Sequence, residues 1–259
     1  MPDSSSDPWL PLSPARRLLG DLVQVAQTVP TASVERRMRL HLLAGLRAMS
    51  WPRPGWCAVF VKAFAILAGR RRELRQHYVR WPWPHVIEQM TPGACVPIGR
   101  VDDVEDQEAV HFARLDAPER LGLAEIDRWL RDCQERPLDS LPAFAHWRTL
   151  LGMPALVRSL VCRVGSAWSA RFQASVLGTY AVNTVAGSGA SCVQQPSPWP
   201  LALSYGLVGK DGCVDVRLTY DPRLRDAVTA ARLLGDLEDV LTKELASELR
   251  YMQNVADAA

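Results

Sequence analysis

Side chains able to move a proton or attack a carbonyl are few in this chain. Histidines stand at 41, 77, 85, 111 and 146, and histidine is the side chain whose ordinary pKa suits a base at neutral pH. His85 follows Trp81-Pro-Trp-Pro84, a stretch held extended because each proline restricts itself and the residue before it. Each of the five reads as readily as a packed or surface residue. Cysteines stand at 57, 95, 133, 162, 192 and 213, with no C-x-x-C pair and no nearby histidine. That spacing predicts reduced thiols in a cytoplasmic protein and no metal site. Cys192 and Cys213 are the nucleophile candidates, but nothing around them would depress a thiol pKa, and core thiols are the simpler reading.

The elements that would position these groups alternate between helix and strand. Ser13-Pro14 is a helix start, with a capping hydroxyl followed by proline in the first turn. Leu18, Leu22, Val25 and Ala26 recur at helical spacing and Pro30 ends the segment. A short strand over Thr31–Glu35, a helix over Met38–Met49 and a buried helix over Trp56–Arg70 follow. Cys95–Val104 and Ala109–Ala113 read as strands around an acidic turn, and Ala124–Cys133 as an amphipathic helix. Gln173–Val185, Leu201–Val208 and Cys213–Tyr220 read as strands, the last two joined by a Gly209-Lys-Asp-Gly212 turn. Leu224–Arg250 reads as a closing helix. Residues 1–12 are expected to be a disordered tail, 13–250 one domain, and 251–259 a C-terminal tail.

The 259 residues are 48% hydrophobic and 22% charged, an ordinary globular balance. With 30 basic and 28 acidic side chains, the net charge of +2 gives no reason to expect nucleic acid. The N-terminus has no basic and apolar pattern of a secretory signal. The longest run without Asp, Glu, Lys or Arg, Phe172–Gly209, is broken by glycines and prolines, so no transmembrane segment is expected. Charge is uneven: residues 1–100 carry a net +8, 101–139 a net −7 and 140–259 a net +1. One reading is two oppositely charged faces that meet in the fold or between subunits. The other is a basic amphipathic hairpin over His146–Phe172 that touches a lipid surface, an anionic cofactor or an acidic partner.

Four segments then share an order with a known family. They are Gly178-Thr-Tyr-Ala-Val-Asn-Thr-Val-Ala186, Leu201–Gly209, Asp211-Gly-Cys-Val-Asp-Val-Arg217 and Leu218-Thr-Tyr-Asp-Pro-Arg-Leu-Arg-Asp226. Together they resemble the catalytic domain of dihydrolipoyl acyltransferases, the 2-oxo acid dehydrogenase core, whose fold is shared with chloramphenicol acetyltransferase. Phe60-Val-Lys-Ala63 and the Ser13 to Arg17 helix start are similar in order. The likeness spans roughly residues 13–245 and is weak across 85–172. It implies an α/β fold, a two-layer sandwich of mixed sheet and helices in one domain. It implies a homotrimer with coenzyme A or an acyl-CoA entering a channel between subunits. No lipoyl or subunit-binding module is visible before residue 13, so a stand-alone protein is expected.

The family's motif reads D-H-R-x-x-D-G, its histidine being the general base. Here Pro222 stands at that histidine and Ala227 at the glycine, while Asp226 is kept. The resemblance implies that Asp226 pairs with Arg17 or Arg16 of the first helix; its other reading is a helix N-cap. It also implies that Asn183, followed by Thr184, stands where the family places an oxyanion-stabilising hydroxyl, a role an Asn amide can fill. The other reading of Asn183 is a loop contact. The segment 140–172 departs most from the family pattern and reads either as a helix pair on the core or as a cap or acyl-chain dock over the channel.

Three functions follow as expectations. The first is a degenerate trimeric scaffold or acyl-binding module, because a base position is lost within a motif otherwise in register. The second is an active acyltransferase, using a coenzyme A or carrier thioester with a different base or substrate-assisted chemistry. The third is a partner of a homologous intact acyltransferase or of an acyl carrier protein.

Overall fold

The computed structural model of the chain describes residues 12–102, 107–184 and 197–257. Helix α1, Pro14–Ala26, starts where Ser13 accepts a hydrogen bond from the Arg16 amide at 3.3 Å. Strand β1, Ala32–Arg39, runs into α2, His41–Met49, and then α3, Trp56–Arg70. Met38 and Arg39, expected in a helix, belong to the strand. Their partners Val214 and Cys213 on the last strand extend the ladder past the predicted end at Glu35.

Helix α3 is buried on nearly every side from Ala58 to Ala68, as its continuous apolar sequence requires. Its buried cation, Lys62, survives burial because Nζ donates to the Glu119 carbonyl at 3.0 Å and to the Leu121 carbonyl. A two-stranded ribbon, β2 Gln76–Val79 with β3 His85–Glu88, stands apart from the main sheet. Strands β4, Gly93–Asp102, and β5, Gln107–Asp116, flank the acidic turn, which lies outside the described residues. After α4, Leu123–Glu135, come α5, Ala145–Leu151, α6, Ala155–Trp168, and α7, Ala170–Leu177. Strands β6, Tyr180–Thr184, β7, Leu201–Tyr205, and β8, Cys213–Tyr220, complete the sheet.

The sheet order is β1-β8-β7-β6-β4-β5, with β6 parallel to both its neighbours and the other pairs antiparallel. Strand β8 alternates, burying Val214, Val216, Leu218 and Tyr220, the mark of a strand with one face on the core. Helix α3 packs against β4, β6, α4 and α8, while α1, α5 and α6 gather around β5 and the ribbon. A mixed sheet with packed helices in one domain is the expected architecture.

Three expectations fail locally. Residues 173–177 are helical, not strand, because Ser169 caps α7 by accepting from the Phe172 amide. The chain then turns into β6 at Gly178, whose φ is 71°. The closing helix begins at Ala227, since Asp226 is its N-cap. It continues as α8, Ala227–Asp239, a π-helical segment at Val240–Leu245 and α9, Ala246–Asp257, so residues 251–257 are helical and not a tail. Within the single chain, among the described residues, the charged faces expected from the sequence do not pair directly. Arg36, Arg70 and Arg71 pair with Glu238, Glu244 and Asp236 of the closing helix, not with the acidic segment 101–139.

Gly178 fixes where β6 starts. A Cβ there would lie 2.6 Å from the Gly93 carbonyl oxygen, and Thr179 donates its amide to that same oxygen at 2.8 Å. Gly178→Ala is therefore expected to cost about 2 kcal/mol, from the positive φ together with the clash. Denaturant unfolding checks this, and an unchanged midpoint would refute the close crossing of β4 and β6.

Among the described residues no single helix is long and apolar enough to cross a membrane. One pair, Pro142–Leu151 with Ala155–Trp168, passes by composition but is bent by 118°. Its second member buries Arg158 against Asp21 at 2.6 Å.

Candidate functional site

The β8–α8 turn carries the motif that the sequence singled out. Asp221 is 2% exposed, and its carboxylate accepts from the Arg223 amide at 2.9 Å, from Arg223 Nε at 3.0 Å and from Nη2 at 2.6 Å. The Asp221 carbonyl accepts from Leu224 and Arg225 amides, so Asp-Pro opens the turn as those residues favour. Pro222 is left exposed at its tip. Arg225 points inward, donating to the Pro200 carbonyl at 3.0 Å and to the Glu73 carbonyl. Burial lowers its pKa to about 10, which still leaves it charged at neutral pH. The turn is thus pinned to the entrance of β7 and to the helical turn before β2.

Beside this turn lies a cavity of about 440 Å³, between the end of α1, strand β2, helices α6 and α7, and Asp221 and Arg223. Tyr78 forms part of its wall, with the Arg223 guanidinium 4.0 Å above its ring. Arg80 and Arg163 also line it, and neither guanidinium has an ion-pair partner among the described residues. Arg163 also stands in a stretch with no acidic residue between Asp139 and Asp211. With Asp221 committed to Arg223, the cavity carries uncompensated positive charge.

Gln173 closes the inner wall. Its Nε2 donates to the Tyr78 carbonyl at 3.2 Å and to the Ser166 carbonyl, so its Oε1 is the atom that accepts from His77 Nδ1 at 3.1 Å. His77 is wholly buried behind it, and burial holds its pKa down at about 4. It is a neutral structural group, screened from the cavity by Gln173.

No histidine lines the cavity. His111 Nδ1 accepts from Trp147 Nε1 at 3.1 Å, and His85 Nδ1 donates to the Trp83 carbonyl at 2.7 Å. His146 is pulled below its ordinary pKa by burial, and His41 is exposed at the start of α2. Burial pushes the thiols of Cys57, Cys95 and Cys133 up to about 12, so they stay protonated. Cys213 is half-buried in β8 opposite Arg39, and Cys192 lies outside the described residues.

The other sequence candidates are scattered. Asn183 sits half-buried in β6 opposite Ser204, away from the cavity lining. Thr184 ends the strand opposite Tyr205, and its side chain lies outside the described residues. Asp226 accepts from the Thr229 amide at 2.6 Å, which holds its carboxyl below the usual range. Arg17 Nε donates to the Leu12 carbonyl at 2.8 Å. Within the single chain Arg17 and Asp226 therefore make separate contacts, Asp226 serving as the α8 N-cap, the other reading given for it above. Sequence reading passed over Arg223, Arg225 and Tyr78. The one signal that could have found the arginines is their alternation inside Asp221-Pro-Arg-Leu-Arg-Asp226.

With this geometry in hand, the comparisons with known proteins define a class. The chain has the fold of dihydrolipoamide acetyltransferase catalytic cores. A probable dihydrolipoamide acetyltransferase from Listeria monocytogenes matches with a TM-score of 0.67 over 93% of this chain and 96% of that one, at 16% identity. The dihydrolipoamide acetyltransferase of Azotobacter vinelandii, studied for the role of a serine, a histidine and an asparagine in its catalytic mechanism, matches at 0.64 over 95% and 98%, at 12% identity. A chloramphenicol acetyltransferase matches at 0.50 over 85% and 94%, also at 12% identity. No protein-family profile matches the sequence, and no curated protein sequence matches it significantly.

Proposed function

We propose that this chain is a catalytically degenerate member of the acyltransferase fold, a trimeric scaffold or binding module for a coenzyme A-linked or carrier-linked acyl group in the cytoplasm. The observation that carries the reading is the β8–α8 turn. At the position matching the family's base stands the exposed Pro222, and no histidine lines the adjoining cavity. The one carboxylate there, Asp221, is occupied by three donors of Arg223, its amide, Nε and Nη2. Arg80 and Arg163, without ion-pair partners among the described residues, fit the phosphate oxygens of an acyl-coenzyme A, which when bound would supply the thioester.

A second reading keeps catalysis. Asp221 lies one residue from the motif's base position and lines the cavity, so a shift of Arg223 onto a ligand would release it as a base. A partnership with an intact homologue or an acyl carrier protein is the third.

Thermal unfolding of the purified protein with coenzyme A and a panel of acyl-CoAs tests binding. A ligand bound only by the folded state adds about 2.7 kcal/mol at a hundredfold excess over its Kd. The expected result is a raised Tm with at least one of them, acyl transfer at background, and measurable transfer in Pro222→His. Wild-type turnover well above background, abolished in Asp221→Asn, would establish the second reading instead. No shift with any acyl-CoA would remove the coenzyme A reading.

A further inference from the structure

Helix α6 turns most of its large apolar side chains away from the core and buries an arginine beneath it. The residues it buries are Arg158 and Cys162, with Ser159, Val161, Gly165, Ser166 and Ala167 partly buried. Its outer face is apolar: Leu156, Leu160 and Trp168 are 88%, 61% and 64% exposed, and Val157 and Val164 stand on the same arc. Buried polar groups cost free energy unless paired, and this inner face is paired. Arg158 Nε donates to Asp21 at 2.6 Å and Ser159 Oγ donates to the same carboxylate. The apolar face is therefore turned outward by specific contacts that hold it there.

That face is continuous with the arginine-lined cavity. Arg163 and Ala167, one helical turn from Leu160 and Val164, line the cavity wall. The Ala167 carbonyl accepts from the Arg80 amide at 3.2 Å and the Trp81 amide at 3.3 Å. This sets the half-exposed Trp81 against the same end of α6 as Trp168. Two unpaired guanidinium groups thus stand at the inner end of an exposed apolar track. Positive charge in a partly enclosed cavity beside an apolar strip matches one ligand chemistry, an anionic headgroup carrying a hydrocarbon chain.

We propose that the cavity binds an amphipathic organic anion, its carboxylate or phosphate on Arg80 and Arg163 and its chain along Leu160, Val164 and Trp168. This stands independently of the coenzyme A reading, since the ligand need not be a thioester. Tyr78 and Arg223 form the opposite wall, with Asp221 keeping Arg223 from competing for the anion.

The test is calorimetric titration of the full chain with decanoate and decyl phosphate below their micelle concentrations. Decanol, inorganic phosphate and coenzyme A are run alongside. Decanoate or decyl phosphate is expected to bind at least tenfold more tightly than decanol and than inorganic phosphate, and whichever is tighter identifies the headgroup. Arg163→Gln and Arg80→Gln, both exposed positions, are expected each to weaken binding about tenfold, the loss of a charge-assisted contact. Leu160→Ser should weaken it in proportion to chain length, and the remote Lys243→Gln should change nothing. Decanol binding as tightly as decanoate would overturn the proposal, as would full affinity in Arg163→Gln. If Leu160→Ser instead changes the mass by light scattering and leaves decanoate affinity intact, the face is a contact between copies and the proposal fails. Coenzyme A binding without decanoate binding would sink this inference and leave the coenzyme A reading standing; the reverse would do the opposite.

Discussion

Asp21→Ala is expected to destabilise the fold by about 3–5 kcal/mol, the usual cost of stranding one member of a buried ion pair. Asp21 and Arg158 side chains are 9% and 6% exposed and meet at 2.6 Å, with Ser159 adding a hydrogen bond to the same carboxylate. Without Asp21, the Arg158 guanidinium stays in an α1–α6 interface that offers it no other carboxylate in contact. The double variant Asp21→Leu, Arg158→Met separates the pair from the packing. Apolar groups of similar volume often replace a buried pair at no cost or with a gain. Urea unfolding of both variants decides the matter. A double variant as unstable as the single would show that volume, and not the stranded charge, is responsible. A functional readout rides on the same variants. Helices α1 and α6 both line the arginine cavity, so a loosened interface is expected to weaken anion binding even where the fold survives.

The acid limb of stability is expected to steepen because of His77. Burial holds its folded pKa at about 4, against an ordinary 6.5; the bond to Gln173 opposes the shift and the Arg225 charge adds to it. Between pH 6.5 and 4 the unfolded chain binds a proton that the folded chain refuses. Stability therefore rises with pH across that window and is lost as pH falls through it. The linkage amounts to roughly 3 kcal/mol when complete. His146, also lowered by burial, acts in the same direction at a more exposed site. The variant His77→Gln removes the titration while keeping a polar group near Gln173. Its unfolding free energy should vary less between pH 4 and 6.5 than that of the wild type. Parallel curves for the two proteins would place the acid sensitivity elsewhere.

Much of the fold was legible along the chain because the signals are local. Ser13-Pro14 reads as a helix start and is one, since the cap needs only a hydroxyl three residues from an amide. The apolar run of α3 reads as a buried helix and is one, with Lys62 satisfied by two carbonyls. The hairpin at Gly209–Gly212 turns as its glycines require: Gly212 has a φ of 70° and stands against the His41 backbone. Where local cues are weak, the reading slips. Residues 173–177 carry one β-branched side chain, Val176, among small and polar ones, and reading β-formers and small residues together over 173–185 ran the strand back across them.

The site was legible in register and misleading in role. The ordered motifs identified an acyltransferase-like chain, and structures with that fold align over more than nine-tenths of it. Sequence order also puts Pro222 where the resemblance places a histidine. It could not show that Asp226 would serve as the α8 cap and Arg17 would turn to Leu12, because both groups have several partners within reach and only packing selects one. Nor could it show that His77 would be sealed behind Gln173, or that Arg80, Arg163, Arg223 and Tyr78 would share a cavity, because they come from three separate elements. By itself the sequence determined most of the elements, their order and the acid-free stretch in which Arg163 stands. Only the tertiary structure decided which arginines converge and that α6 turns its apolar face outward. Those outcomes depend on contacts such as Asp21 with Arg158, whose partners lie 137 residues apart.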